Sequence, residues 1–388
     1  MKKIIALGLA IILVFGLCAC SGSPAASTTA ASASTSAAAS STAASAGTSS
    51  AAASAQTASS AASSSASGNT LKVGVSFGTL QEERWDAERQ RMQELDEQDD
   101  SWDLIYTDAD TDANLQNDQI ENMLSQGIDV LVIGPQDSEA AATAVEAAKE
   151  AGVPVVSYCR VVNSDQIDVV VSYDYVTIGE ENMKMALQAV PEGNYVLVNG
   201  HDADSVPHDE NTGYHNVIDS YVASGKVKVV FDQYTNNWSA DEAMSEVENV
   251  LTQYDNDIQA IICNNDGMAG GAIQALTAQG LAGKVYVAGM DAELSACQRI
   301  AEGTQSATVI TGYDTLADAV IKAALELARG EDLSGVNSTT TINGKEIPTV
   351  ACAPIVVTKD NLVETVINSG FRSVEDVYAN VPKDQWPK

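Results

Sequence analysis

From Leu71 onward, apolar residues come in short runs separated by longer amphipathic stretches. Leu71–Phe77 reads as a strand, 82–97 as a helix, and 104–107 as a second strand. Residues 114–127 form a helical pattern closing on Gly127, where a left-handed residue is favoured after the last turn. The strand over 129–133 is continuously apolar after Asp129, as a strand buried on both faces should be. A helix over 138–151 follows, then Gly152 and a strand over 153–158. The alternation resumes with strands at 194–198, 227–231, 260–262 and 285–288, with helical stretches between them. Strand–helix repetition predicts parallel sheets joined by right-handed crossovers. Seven or more such units in about 310 residues predict an α/β fold of two doubly wound lobes.

The chain before Leu71 carries none of this pattern. Met1-Lys2-Lys3 is a basic start, and residues 4–17 contain no polar side chain. That run is too short for a stop-transfer helix and fits the apolar region of a secretory signal. It closes on Leu17-Cys18-Ala19-Cys20, which resembles the lipobox of bacterial lipoproteins, with Cys20 as the lipidated residue. Residues 1–20 are therefore expected to be a lipoprotein signal. Residues 21–69 are almost entirely Ser, Ala, Thr and Gly. Without large apolar side chains such a segment cannot offset its ordering entropy, so it reads as a flexible tether. The folded body is expected outside the cytoplasm, held to the cell membrane by lipid; a long tether suits a Gram-positive surface.

Charge narrows the function. Fifty-three Asp and Glu stand against twenty Lys and Arg, for a net charge of −33, with no basic cluster. That argues against nucleic acid or an anionic membrane surface as ligand. Cys159, Cys263, Cys297 and Cys352 show no CxxC pair, which indicates neither a zinc site nor a disulfide framework. His201, His208 and His215 are spaced by seven, not a metal-ligand pattern on one turn, and read as a surface loop. Asp108, Asp110 and Asp112 alternate like the start of a calcium loop. Ala113 and Gln119 occupy the positions that need Gly and Glu, leaving a solvated acidic loop. The stretch from Gly267 to Gly271 lacks the GxGxxG spacing of a dinucleotide site. No nucleophile–base set is evident, so an enzyme is not expected, and no cofactor or metal.

In doubly wound folds, function sits at the carboxyl ends of the strands. Those ends carry Phe77 with Trp85, Pro135-Gln136-Asp137, Tyr158-Cys159-Arg160, Asn199 to Asp204, Asn264-Asn265-Asp266 and Met290-Asp291. Asp266 can be read as a helix N-cap or as a ligand contact. Asp291 ends an apolar strand, where a buried carboxylate is costly unless paired or solvated, which favours a site.

Glu83-Arg84-Trp85, QIENM at 119–123, GIDVLVI at 127–133, the stretch from Asn265 to Lys284, and Gly303-Thr304-Gln305 closely resemble the D-xylose-binding protein family. These are periplasmic-binding proteins of type I, the sugar-binding class 1 group, and the resemblance runs from about Leu71 to Phe371. It implies two similar lobes joined by a three-segment hinge, a pyranose held in the cleft between them, and delivery to an ABC permease by a protein that works as a monomer. It places Trp85 and Trp238 as stacking rings, one per lobe. Phe77, Arg84, Arg160, Asn265, Asp266 and Asp291 join them as sugar-binding residues. The lobes are expected to be 70–176 with 312–345, and 177–311 with 346–380. The hinge crossings fall near 174–177, near Thr311-Gly312 and within 343–349. Three departures from the family pattern stand out: Cys159 replaces an aspartate, Asn211 or a neighbour an arginine, and Thr311 a lysine. They point away from xylose toward a hexose or another pentose. A signal receptor module of the same fold remains the alternative; a LacI-type repressor would need a DNA-binding headpiece where the signal and tether stand.

Overall fold

A computed structural model describes residues 70–387; the expected lipobox with Cys20 and the expected tether lie outside the described residues. In chain order the elements are β1 (Leu71–Phe77), α1 (Glu83–Gln98), β2 (Trp102–Asp108), α2 (Ala113–Ser125), β3 (Val130–Gly134), α3 (Ala142–Glu150), β4 (Val155–Tyr158) and β5 (Val169–Tyr173). Then come α4 (Tyr175–Ala189), β6 (Gly193–Asn199), α5 (Ser205–Ala223), β7 (Val227–Tyr234), α6 (Ala240–Gln253), β8 (Ala260–Cys263) and α7 (Asp266–Ala278). The chain continues through β9 (Tyr286–Ala288), α8 (Leu294–Glu302), β10 (Ala307–Ile310), α9 (Tyr313–Ala328), β11 (Ser338–Ile342), β12 (Lys345–Cys352) and β13 (Ile355–Thr358).

Two sheets result. The first runs β11-β12-β5-β4-β3-β1-β2, the second β13-β10-β9-β8-β6-β7. Both are parallel at the centre, and each carries one antiparallel edge, β11 on β12 and β13 on β10. The all-parallel expectation is corrected there. Central strands such as β3 are buried throughout because helices cover both faces. Side chains start the helices locally: Asp112 accepts from Asn114 N and Leu115 N, Asp174 from Thr177 N, Asp204 from Val206 N, and Asn265 from Met268 N.

The chain passes between the sheets three times. It leaves the first after β5, at Asp174, and α4 packs against α5 and the second sheet. It returns after β10, through Thr311-Gly312, and α9 packs on α1 and the strands of the first sheet. Leu316, Val320, Ile321 and Ala324 of α9 are buried there, each large aliphatic contributing about 1.5–3 kcal/mol. The Tyr173 hydroxyl donates to Gly312 O at 3.1 Å, tying the first two passages together.

The third passage is not within 343–349. Asn343 (φ 50°) and Gly344 (φ 80°) form a two-residue hairpin turn between β11 and β12, with Ile342 opposite Lys345. Positive φ at both positions is what such a turn demands. β12 then stays paired with β5, and the chain crosses at Ala353-Pro354 before β13. The segment 346–352 therefore belongs to the first lobe.

One other expectation is corrected here. His208 and His215 lie on α5, not in a loop; Pro207 sits in its first turn, where a missing N–H is tolerated. His215 lies between Asp219 and Asp232, at 2.8 and 2.9 Å. The glycines after Asp266 serve packing: a Cβ on Gly271 would sit 2.1 Å from Ala240 O, so α7 crosses α6 with backbones in contact.

Candidate functional site

The carboxyl ends of both sheets face one another. Between them Glu82, Arg84, Trp85, Cys159, Arg160 and Asp291 line a narrow cavity, closed off by Val206, Trp238, Asn265 and Met290. The space between these groups is thin, with room for only about one water molecule.

Each lobe contributes one tryptophan. Trp85 stands in the first turn of α1, wedged edge-on against Phe77 and Tyr158 with ring centroids 6.2 and 5.7 Å away. Trp238 comes from the turn after β7 and lies flat on Gly200, where a Cβ would approach three ring atoms to 2.6 Å. Only glycine permits that contact. The Arg160 guanidinium lies between the rings, 5.1 Å from the Trp85 centroid and 5.9 Å from that of Trp238. Both distances are within cation–π range.

The charges are buried and paired across the cavity. Arg160 Nε meets Asp204 Oδ2 at 2.6 Å, from the opposite lobe. Arg84 donates twice to Glu88 Oε1, at 3.2 and 2.8 Å, and faces Asp291 Oδ1 at 3.5 Å. Asp291 also accepts from Thr311 Oγ1 at 3.1 Å, and its carbonyl accepts from Tyr313 Oη at 2.9 Å. Further contacts join the lobes around the cleft: Ser138 N to Ala203 O, Val161 N to Ser205 Oγ, and Leu294 N to Glu83 Oε2.

Backbone strain concentrates here. Cys159 (φ 62°), Trp238 (φ 57°) and Asp291 (φ 101°) all hold left-handed-side dihedrals and all line the cavity. Each costs about 1–3 kcal/mol and persists only where the surroundings impose it, a hallmark of ligand clamps.

Of the eight sugar-contact candidates, six line the cavity: Arg84, Trp85, Arg160, Trp238, Asn265 and Asp291. Phe77 does not; it is fully buried behind Trp85 as core. Asp266 does not either. Its Oδ1 accepts from Gln305 Nε2 at 2.7 Å, and its Oδ2 from Thr308 Oγ1 at 2.7 Å and Glu293 N at 3.2 Å. Those bonds hold Asp266 inside the second lobe, where it braces the loop that presents Asp291, while Asn265 takes the N-cap. Of the departures, Cys159 lines the cavity, its Sγ 3.0 Å from Tyr175 Oη. Thr311 stands behind Asp291, and Asn211 is tied to Asn199 and Asp232 outside it. Glu82, Asp204 and Glu88 were not among the candidates. Glu82 and Asp204 stand at helix starts, where acidic residues are common as caps and dipole partners, and Glu88 lies in the second turn of α1 at an ordinary i,i+4 spacing from Arg84, so position alone gave no signal.

Burial pushes the carboxyl of Glu88 up to about 7 against the pull of Arg84, and raises Asp291 and Asp204 despite their arginines. Burial likewise takes Asp209 to about 6 and Glu293 to about 7. A carboxyl raised in the fold stabilises it below its unfolded pKa, near 4 to 4.5, and that contribution is lost as pH rises through the folded value. The thermal midpoint is therefore expected to fall between pH 5 and pH 8, and Glu88→Gln to shrink that fall. Circular dichroism melts across the range test it; a midpoint rising toward pH 8 contradicts it.

A model described as a periplasmic binding protein domain matches residues 73–332. A New glue protein family model matches residues 1–99, mostly the Ser- and Ala-rich stretch and too little to place the chain there. The D-xylose-binding periplasmic protein of Haemophilus influenzae is 39% identical over 79% of this chain and 92% of its own. The protein of the same name in Escherichia coli is 38% identical over 79% and 92%. Among solved structures, a carbohydrate transporter solute-binding protein from Chloroflexus aurantiacus, in complex with D-glucose, is 27% identical with a TM-score of 0.72. It covers 79% of this chain and 98% of its own. Family model, relatives and two facing α/β lobes agree, and the chain belongs to the periplasmic binding protein family.

Proposed function

We propose that this chain captures a monosaccharide between its lobes outside the cytoplasm and presents it to an ABC permease. The observation that carries this is the cavity itself: two tryptophans from opposite lobes with Arg84, Arg160, Asn265 and Asp291 around them. A pyranose has two apolar C–H faces and a belt of hydroxyls. Aromatic rings cover the faces, and charged or amide groups bond the belt, charge-assisted bonds being the stronger. The relatives named for D-xylose and the structure holding D-glucose support the same ligand class. The thin space requires the lobes to part as sugar enters, rotating about the passages at Asp174, Thr311-Gly312 and Ala353-Pro354, and to close over it. The chain binds and releases its sugar unchanged. Cys20 carries the lipid, and the tether lets the body, a monomer, reach its permease.

The preferred sugar is a hexose or a pentose other than xylose. Cys159 stands where the xylose binders have an aspartate, so the cleft lacks that acceptor, and the shorter side chain leaves room beside Arg160. Buried sites matched to one hydroxyl pattern reject others strongly, because each mismatch leaves a polar group unpaired at about 1–3 kcal/mol. Calorimetry with D-glucose, D-galactose, D-ribose, L-arabinose and D-xylose tests both levels. One sugar other than xylose is expected to bind in the micromolar range or tighter. Xylose binding at least tenfold tighter than the rest overturns the choice of sugar; no binding by any overturns the receptor reading.

A further inference from the structure

Glu82 is the N-cap residue of α1, yet its side chain makes no capping bond. It turns instead into the cavity, where its Oε2 is buried without a hydrogen-bond partner. Every other charged group there is engaged: Arg160 with Asp204, and Arg84 with Glu88 and Asp291. Glu82 stands in the field of Arg160, Asp291, Arg84 and Asp204, and burial raises its pKa against the pull of Arg160. A buried acceptor without a donor is costly, and a ligand hydroxyl removes that cost. Asp291 faces the same space from the other lobe, so a ligand there meets carboxylates on two sides.

We infer that Glu82 is a specificity-determining residue: its carboxylate accepts a hydrogen bond from a hydroxyl of the bound monosaccharide and, with Asp291 opposite, excludes sugars that carry a carboxylate of their own. This rests on the sugar-binding reading. Neutral aldoses are the accepted class and uronic acids the rejected one. Because Arg84 and Arg160 already have carboxylate partners, no free cation lines the cavity among the described residues to receive a uronate. Removing the Glu82 charge relaxes that exclusion, while removing its reach weakens the neutral sugar.

The test is calorimetry on the full chain with D-glucose, D-xylose and D-glucuronate, for the wild type, Glu82→Gln and Glu82→Asp, with a thermal melt of each. Glu82→Gln is expected to weaken the tighter neutral sugar at least fivefold and to narrow its preference over glucuronate at least tenfold. Glu82→Asp, which keeps the charge but shortens the arm, is expected to weaken the neutral sugar and still reject glucuronate. A residue serving only structure would shift both ligands by one factor, or move the melt alone. Equal shifts, or a neutral-sugar affinity for Glu82→Gln within fivefold of wild type, overturn the inference while leaving the receptor reading intact. A wild type that binds none of these three and none of D-galactose, D-ribose and L-arabinose overturns the receptor reading itself.

Discussion

Trp238→Ala is expected to weaken sugar binding by about 30-fold while leaving the fold largely intact. The ring covers one face of the cavity, and the loss of one aromatic–sugar face is worth about 2 kcal/mol, roughly 30-fold in affinity. Its structural cost is modest because Trp238 sits on a turn at the rim and keeps 9% of its surface exposed. Trp85 differs. It is 3% exposed and locked edge-on between Phe77 and Tyr158, so Trp85→Ala leaves a cavity in the first lobe at about 3–5 kcal/mol. Binding and melting must be measured together for both variants. A third variant separates presence from placement: Gly200→Ala keeps the Trp238 ring but drives a methyl into it at 2.6 Å, so it too should weaken the sugar. Unchanged affinity in Trp238→Ala and Trp85→Ala together removes the stacking assignment.

Much of this architecture was legible because buried parallel strands write their burial into the sequence. The apolar run at 130–133, set between Asp129 and Gly134, has the length and β-branched content of a doubly buried strand, and β3 is buried along its whole length. The third lobe crossing was not legible, because Asn343-Gly344 serves a hairpin or a hinge equally well until β12 is seen pairing with β5. The split between Asn265 and Asp266 was ambiguous for a similar reason: both are good caps, and the loser of that contest is buried against Gln305 and Thr308. The tryptophans and arginines were found through resemblance, at strand and helix ends where ligands gather. Their partner Asp204 was missed because a pair linking positions 160 and 204 leaves no trace in local spacing, and Glu88 because a glutamate four residues after an arginine is just as common on an exposed helix face. Glu82 went unseen because its sequence position fits a cap and only its rotamer shows otherwise.

Arg160→Ala is expected to be the most damaging single change at the cleft. Arg160 and Asp204 are 4% and 1% exposed, and their contact spans the two lobes. Removing one member of a buried pair leaves an uncompensated charge, at about 3–5 kcal/mol. The same change withdraws the guanidinium between the two rings, so affinity should fall as well as the melting temperature. Asp204 cannot simply be deleted in compensation, because its Oδ1 accepts from Val206 N at 3.0 Å and caps α5. Asp204→Asn keeps an oxygen for that cap while discarding the charge. Arg160→Ala with Asp204→Asn is therefore expected to recover most of the lost stability but little of the lost affinity. The pH response separates the causes further. Without Arg160, burial raises the Asp204 carboxyl unopposed by its main attractive partner. Arg160→Ala should then melt higher at pH 5 than at pH 8, by a wider margin than the wild type, because a raised carboxyl loses its contribution as pH climbs through it. If Arg160→Ala melts within a degree of wild type at both values, the pair holds nothing in place and Arg160 acts on the ligand alone.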